Sequence, residues 1–238
     1  MRILLIGYGK MGHTIERLAL AKGHQIVGAL TVEDAHKLSS YSTQEVDVAI
    51  EFTSPDAAVN NIITCFEKGI PVICGTTGWL QHLPQVEVKC QELNGALLYA
   101  SNFSVGVNLF FHFNEYVAKK MQQYPEYAVQ VKEIHHVHKL DQPSGTALSI
   151  AEGILNQYPG KQGWVNDKTA SQDLLGIESE REGEVVGTHI VQYTSSNDTL
   201  ELHHIAHSRE GFASGAILAA EWLPGKQGVF GMNDLLQL

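Results

Sequence analysis

Short apolar segments alternate with amphipathic segments through the first hundred residues of this chain. The apolar segments, each bounded by glycine, proline or polar residues, lie at 2–6, 25–30, 46–52, 71–76 and 95–101. Continuous apolar segments of this length are typical of strands buried on both faces of a parallel sheet. Apolar residues recur at helical spacing after residue 10, over 53–68 and over 84–93. The pattern predicts an α/β domain with a parallel sheet.

The alternation of strands and helices ends after residue 103. The elements predicted for the rest of the chain are a helix over 107–121, a strand over 127–135, a helix over 144–158, a polar loop over 159–173, strands over 176–181, 187–194 and 198–207, a helix over 213–223 and a short tail. A Ser-Ser-Asn-Asp turn joins the last two strands as a hairpin. Strands in succession predict a second, α+β domain with a mixed or antiparallel sheet.

A glycine-rich loop joins the first predicted strand to the first predicted helix. It carries the pattern G-x-G-x-x-G in Gly7, Tyr8, Gly9, Lys10, Met11 and Gly12. In this context the three glycines permit a tight turn, close approach of the backbone to a pyrophosphate, and close packing of the helix on the sheet. The helix N-terminus would then receive the pyrophosphate of NADH or NADPH.

The acidic residue that commonly binds the adenosine ribose is missing from its usual place at the end of the second strand. Thr31 stands there, and the nearest acids are Glu33 and Asp34. Either one of these acids reaches back, or Thr31 takes part of the role. No arginine stands at this strand end to favour a 2′-phosphate, although Lys37 and Lys10 are near. The sequence therefore does not separate NADH from NADPH.

Three further predicted strands end in residues suited to the same cofactor. The carboxyl ends of parallel strands meet at one edge of the sheet, where open α/β sheets bind ligands. The residues expected there are Phe52, Thr53, Gly75, Thr76, Thr77, Ala100, Ser101, Asn102 and Phe103. Alternatively, Thr53 caps the next helix and Asn102 only shapes a turn.

Residues 133–147, EIHHVHKLDQPSGTA, concentrate polar and titratable side chains. His135 and Lys139 are four apart and so lie on one side in either a strand or a helix, whereas His136 and His138 share the other strand face. Ser144 is a candidate N-cap of the following helix. An imidazole and an ammonium beside a helix N-terminus suit an anionic substrate that must also be protonated.

A metal site is the alternative interpretation of the same histidines. His136 and His138 could form a ligand pair. Further candidate ligands are His189, His203, His204 and His207. We favour no metal, because no cysteine or carboxylate repeats a ligand spacing.

The composition narrows the classes of function. The chain of 238 residues, with 44% apolar and 18% charged residues, is long enough for one or two folded domains. A net charge of −10 argues against nucleic acid or an anionic membrane surface as partner. The three cysteines have no paired spacing and are expected to be reduced. With no signal peptide and no apolar window of ~18 residues, a cytoplasmic location is predicted.

These motifs together resemble the 4-hydroxy-tetrahydrodipicolinate reductase (dihydrodipicolinate reductase) family of bacterial lysine and diaminopimelate biosynthesis. The family pattern E-x-H-H-x-x-K-x-D-x-P-S-G-T-A is met in full by residues 133–147. Other similar segments are 7–12, 52–53, 75–78, 102–108, 187–189 and 207–223. The chain departs from many members in a glycine loop one residue shorter and in Thr31 at the ribose position.

The resemblance implies a Rossmann-like nucleotide-binding domain interrupted by an α+β substrate and oligomerisation domain with a mixed sheet. We expect residues 1–103 and 209–238 to form the dinucleotide-binding domain, and 104–208 the substrate-binding and tetramerisation domain. Family members form homotetramers through sheets of the second domain, and the strands between 176 and 207 could supply such edges.

The resemblance also implies a reaction. The nicotinamide donates hydride to the conjugated imine of a small cyclic dicarboxylate, with loss of water from the hydroxylated form. By this likeness His135 is the general acid/base, Lys139 its cationic partner, and His136 a substrate contact. One substrate carboxylate would be held by Ser144, Gly145 and Thr146. Asp141 either orients Lys139 or shapes the turn, and we favour the turn.

Two other classes of function compete with this one. Another two-domain NAD(P)-dependent dehydrogenase would share the glycine loop but not the PSGT motif after H-H-x-x-K. A non-catalytic nucleotide-sensing protein could keep the fold. The presence of His135, Lys139 and the PSGT turn argues against the second alternative, as does the lack of a basic DNA-binding segment.

Overall fold

The structure is a computed structural model that describes residues 1–169 and 171–238. Its contacts divide the chain into two units. The first unit comprises Met1–Val105 and Glu210–Leu238, and the second comprises Gly106–Arg209. The predicted loop over 159–173 includes residue 170, which lies outside the described residues.

The strands and helices follow the predicted order closely. The strands are β1 (Arg2–Ile6), β2 (Gln25–Leu30), β3 (Val48–Glu51), β4 (Val72–Cys74), β5 (Ala96–Tyr99), β6 (Ala128–His135), β7 (Gly163–Val165), β8 (Leu174–Arg181), β9 (Gly187–Thr194), β10 (Thr199–Ala206) and β11 (Gly228–Phe230). The helices are α1 (Lys10–Ala21), α2 (Pro55–Glu67), α3 (Leu83–Glu92), α4 (Val105–Met121), α5 (Gly145–Leu155), α6 (Glu210–Trp222) and α7 (Met232–Leu236), with short 3₁₀ helices at Ala35–Ser40 and Leu80–His82.

A parallel sheet in the order β11-β5-β4-β3-β1-β2 forms the centre of the first unit. The inner strands β1, β3 and β4 are buried on both faces, which is why they are continuous apolar segments. Residues such as Ile3 and Leu5 pack on the side of α1 and α6, whereas Leu4 and Ile6 pack on the side of α2 and α3. The predicted parallel sheet is confirmed, and its strand ends share one edge.

A mixed sheet in the order β10-β9-β6-β8-β7 forms the centre of the second unit. The central strand β6 runs antiparallel to β9 and parallel to β8. Helices α4 and α5 contribute to the core on one face, where the residues of β6 alternate buried with less buried. The predicted mixed sheet is confirmed, as is the β9–β10 hairpin.

Three predictions about local structure were wrong. The tail after residue 228 contains β11 and α7, and β11 adds a sixth strand beside β5. The polar loop contains β7, which pairs with β8. Strand β6 ends at His135, so His136 and His138 do not share a strand face. The two missed strands are only three residues long and begin at glycine, so alternation over them gives little signal. None of the helices in the described residues is long and apolar enough to cross a membrane.

Candidate active site

The glycine loop between β1 and α1 is shaped as the sequence predicts. Gly7 has a φ of +95°, and a Cβ there would come within 1.9 Å of the Phe52 carbonyl oxygen. A Cβ on Gly12 would come within 2.6 Å of the Gly7 carbonyl oxygen. Both positions therefore require glycine. Gly9 is the N-cap of α1 and offers no capping side chain, so the first-turn N–H groups are suited to an anion.

A cavity of about 350 Å³ opens beside this loop. It is lined by Gly9, Lys10, Met11, Gly12, Phe52, Thr53, Pro55, Gly75, Thr76 and Thr77. The Thr53 N–H donates to Thr76 Oγ1 at 2.7 Å, which ties the loops after β3 and β4 together. The glycine loop and two of the three predicted strand ends are thus brought to one place.

The remaining predicted cofactor residues lie outside the lining of this cavity. They are Gly7, Tyr8, Thr31, Ala100, Ser101, Asn102 and Phe103. The hydroxyl of Tyr8 donates to Glu16, and the Phe103 side chain is buried with 2% of its surface exposed. Asn102 Oδ1 accepts from the Ser104 N–H at 2.9 Å, as a turn residue does.

Of the two acids that follow β2, Glu33 and Asp34, it is Asp34 that contacts Thr31. Thr31 Oγ1 donates to Asp34 Oδ2 at 3.1 Å, and Lys37 Nζ lies 2.6 Å from Asp34 Oδ1. The Lys37 ammonium holds the pKa of the Asp34 carboxyl below its usual value. Asp34 is therefore the carboxylate held at the strand end, and it is paired with the Lys37 ammonium.

Glu133 lies at the centre of the polar cluster in the second unit. It is fully buried on the core face of β6, two residues before His135. Its Oε1 accepts from the Ser144 N–H at 3.0 Å and the Ser179 hydroxyl at 2.8 Å. Burial by itself would raise the pKa of this carboxyl, but the hydrogen bonds from Ser144 and Ser179 outweigh it and the pKa is lowered. Glu133 is thus a carboxylate at neutral pH.

Two imidazoles face the other oxygen of Glu133. Its Oε2 lies 3.3 Å from His135 Nδ1 and 3.8 Å from His189 Nε2. The two rings meet edge to face, with centroids 5.1 Å apart. Burial lowers the pKa of His135, and the Glu133 charge opposes this effect. Burial also lowers the pKa of His189, to about 4, so His189 is neutral at neutral pH.

The loop after β6 presents Lys139. Its Nζ lies 2.8 Å and 2.9 Å from the two carboxylate oxygens of Asp141, and this pairing lowers the pKa of Asp141. The preference for an Asp141 that only shapes the turn was wrong, because its carboxylate pairs with Lys139. Arg181 holds the loop, because its guanidinium donates to the carbonyls of Lys139 at 3.2 Å and Asp141 at 2.6 Å. Arg181 also lies 3.6 Å from Glu133 Oε1.

Ser144 caps α5, as predicted, and both of its polar groups are engaged. Its Oγ accepts from the Ala147 N–H at 3.1 Å and lies 3.3 Å from His189 Nε2. Its N–H is the one that Glu133 accepts. Ser144 is buried, with 3% of its surface exposed, and its contact with a substrate carboxylate stays a prediction. Gly145 and Thr146 remain in the first turn of α5, and no atom would obstruct a Cβ at Gly145 within 4 Å.

Two arginines were given no role from the sequence. Arg209 NH2 lies 3.4 Å from His136 Nε2, which places a cation beside a predicted substrate contact. Arg181 supports the Lys139 loop. Arg209 lies in segment 207–223, which resembles the family, so the sequence did contain a signal for it. His138 is exposed and lies 3.2 Å from Glu184, so it is turned toward an exposed acid.

The histidine and carboxylate cluster is not the one predicted as a metal alternative. Glu133, His135 and His189 offer ligand-type atoms within 4.8 Å of one another, and the predicted pair His136 and His138 is not among them. A carboxylate paired with imidazoles accounts for these distances without a cation. That the protein needs no metal stays a prediction.

Comparison with known proteins accounts for both units. The family model described as dihydrodipicolinate reductase, N-terminus, matches residues 1–103, and the one described as dihydrodipicolinate reductase, C-terminus, matches residues 106–236. The chain belongs to the dihydrodipicolinate reductase family. The family resemblance inferred from the motifs is thereby confirmed.

Relatives in this family match over the full length. A protein of Christiangramia forsetii named 4-hydroxy-tetrahydrodipicolinate reductase is 47% identical over 237 residues, which is 99% of this chain and 98% of the relative. One of the same name from Archaeoglobus fulgidus is 36% identical over all of both chains. The solved structure of a dipicolinate-bound dihydrodipicolinate reductase from Paenisporosarcina sp. TG-14 superposes with a TM-score of 0.77 over 97% of each chain at 24% identity, which supports the fold.

Proposed function

We propose that the protein is a 4-hydroxy-tetrahydrodipicolinate reductase of the diaminopimelate route to lysine. In this reaction NADH or NADPH donates hydride to the conjugated imine of the cyclic dicarboxylate, water is lost from the hydroxylated form, and tetrahydrodipicolinate is produced. The observation that carries the proposal is that the N-terminal and the C-terminal models of the reductase family both match this chain.

The geometry supports a role for each group near His135. His135 is the proton donor and acceptor, and Lys139 supplies positive charge next to it. The first-turn N–H groups of α5 at Gly145 and Thr146 receive one substrate carboxylate. His136, with Arg209 beside it, meets the anionic substrate. The first unit is the dinucleotide-binding domain, with the cavity beside Gly9 as the cofactor site.

We further propose that Asp34 takes the place of the ribose-binding acid. Its carboxylate is held at the end of β2 by Thr31, where an acid binds the ribose 2′-hydroxyl of NADH. A 2′-phosphate would be repelled by the same carboxylate, although Lys37 reduces this effect. NADH is therefore the preferred cofactor.

A homotetramer in the cytoplasm is the proposed state of the protein. In the second unit, edge strand β10 exposes Leu200 and Ile205, at 43% and 54%, and an exposed strand edge is suited to pairing with another copy. Light scattering after size exclusion would measure the mass directly, and a monomeric mass would contradict the proposal.

The decisive experiment is oxidation of the reduced nicotinamide with the substrate generated in situ by the preceding synthase. We expect turnover that depends on the synthase, and the reaction without the synthase is the control. Turnover with an aspartate-type substrate instead would indicate another two-domain dehydrogenase. Cofactor binding without turnover on any of these substrates would indicate a nucleotide-sensing protein.

A further inference from the structure

We propose that Glu133 is a positioning residue for this reaction, whose Oε2 holds the Nδ1–H of His135 so that the proton exchanged with substrate is carried on Nε2. The inference rests on the proposed function of His135 as the proton donor. It adds to that function a specific partner, a specific tautomer and a specific nitrogen.

The orientation of the Glu133 carboxylate is fixed from one side. Oε1 accepts from Ser144 and Ser179 and faces Arg181, so these three groups hold that oxygen in place. In the described part of the chain, Oε2 is buried and has no hydrogen-bond partner. It is left to face the imidazole of His135, whose Nδ1 lies 3.3 Å away.

The two ring nitrogens of His135 have opposite surroundings. Nδ1 is fully buried, and within the described residues no hydrogen-bond partner competes with Glu133 for it. Nε2 lies beside Gly187, where a Cβ would come within 3.1 Å. The lack of a side chain at Gly187 keeps that side of the ring clear. Because Nδ1 faces the buried carboxylate, Nε2 is the nitrogen left for the substrate.

Charges from several elements act on His135. Glu133 lies on the same strand, His189 faces the ring from β9, Arg181 from β8, and Lys139 and Asp141 from the loop. Burial and the Lys139 and Arg181 cations lower the pKa of His135, whereas the Glu133 and Asp141 carboxylates raise it. Burial lowers the pKa of His189 to about 4, so this ring is neutral at neutral pH and does not take over the pairing. The Glu133 carboxylate therefore stabilises the protonated imidazole that donates the proton.

The test is Glu133→Gln, with Glu180→Gln as matched control. Glu180 is a nearby acid that pairs with Lys132 and is 41% exposed. We expect Glu133→Gln to lower kcat about 100-fold, within the range of acid–base catalysis, with the KM for NADH unchanged. A proton donor fails above its pKa, and loss of the carboxylate lowers the pKa of His135. The alkaline fall of kcat/KM should therefore move to lower pH, and Glu180→Gln should leave it in place.

A direct titration separates positioning from a structural role. The His135 imidazole, assigned in NMR spectra with the His135→Gln variant, should titrate at lower pH in Glu133→Gln than in the wild-type protein. An unchanged midpoint, or an unchanged alkaline fall in kcat/KM, would overturn the inference. If the wild-type protein shows no turnover, the proposed function fails, whereas the NMR midpoint still decides the pairing.

A second variant covers the case in which Glu133→Gln does not fold. Glu133→Asp keeps the charge but withdraws it from Nδ1 by one methylene. We expect it to lower kcat by about 10-fold while the protein remains folded by circular dichroism. Wild-type kcat together with a wild-type pH profile in Glu133→Asp would overturn the inference.

Discussion

Glu51 in the first unit and Glu133 in the second are both fully buried near the carboxyl end of an inner strand, but they meet different partners. Glu51 accepts from the Thr53 hydroxyl, from the Asn61 amide at 3.4 Å and from the Cys74 thiol at 3.0 Å. All three are uncharged donors. Glu133 instead faces two imidazoles and a guanidinium.

The difference in partners indicates a difference in role. Burial raises the pKa of the Cys74 thiol, so the donors around Glu51 keep their protonation at neutral pH. Glu51 therefore ties the segment after β3 to α2 and β4. Glu133 faces groups that gain or lose protons, so its charge affects the chemistry as well as the fold. Four substitutions break or sharpen this contrast.

The largest effect is expected from the imidazole that Glu133 faces. His135→Gln should lower kcat by about 10²- to 10⁴-fold, because the proton donor is removed. NADH binding, measured by fluorescence titration, should not change. His138→Gln is the control, since its side chain is 73% exposed and pairs with Glu184. Wild-type kcat in His135→Gln would remove His135 from the mechanism.

The second imidazole beside Glu133 should affect stability against pH. His189 has a pKa of about 4 in the folded protein, against about 6.5 in the unfolded chain. The unfolded chain therefore binds more protons between these values, and the free energy of unfolding should fall as the pH drops from about 6.5 to about 4. The contribution is on the order of 3 kcal/mol.

Urea unfolding at several pH values measures this contribution. His189→Asn lacks the titrating group, so its unfolding free energy should depend less on pH over that range. His203→Asn is the matched control, since this side chain is 42% exposed. An equally steep dependence in His189→Asn would assign the acid sensitivity to other groups.

Glu51→Gln should have a smaller effect of a different kind. The substitution replaces one carboxylate oxygen of Glu51 with an amide NH2 group, which cannot accept a hydrogen bond and faces another donor. This change costs about 1–2 kcal/mol of unfolding free energy. The KM for the cofactor should rise several-fold, because Thr53 and Thr76 line the cavity, while the pH profile stays in place. Glu67→Gln on the exposed side of α2 is the control. A shifted pH profile in Glu51→Gln would contradict the contrast with Glu133.

The half-buried Asp34 of the first unit should alter cofactor preference alone. Asp34→Ala should lower the ratio of kcat/KM for NADH over NADPH by about 10-fold, equal to about 1.4 kcal/mol, because the carboxylate that favours a free ribose hydroxyl is removed. Glu33→Ala is the neighbouring control. An unchanged ratio in Asp34→Ala would exclude it from the ribose site.

The sequence predicts features that depend on local pattern. The glycine loop, the parallel strands and the Ser144 cap each follow from residue type and spacing within a short segment. The missed role of Glu133 had a local signal as well, because an acid two residues before His135 on one strand shares its buried face. The three histidines nearby form the more conspicuous motif and mask this signal.

Other features depend on contacts between distant segments. Arg181 supports the Lys139 loop by donating to the carbonyl of Asp141, which is forty residues away in the chain. The Ser144 N–H is taken by Glu133 only because β6 and the start of α5 meet in the fold. No spacing in the sequence reports such a meeting, so the engagement of Ser144 could not be foreseen.

The return of the chain to its first sheet has a consequence for synthesis on the ribosome. Helix α6 covers part of one face of that sheet, and β11 completes its edge beside β5. Both elements leave the exit tunnel after the second unit, since translation proceeds from the N-terminus. We expect apolar residues of the first unit to stay uncovered until α6 and β11 emerge, and to need protection by a chaperone over that interval.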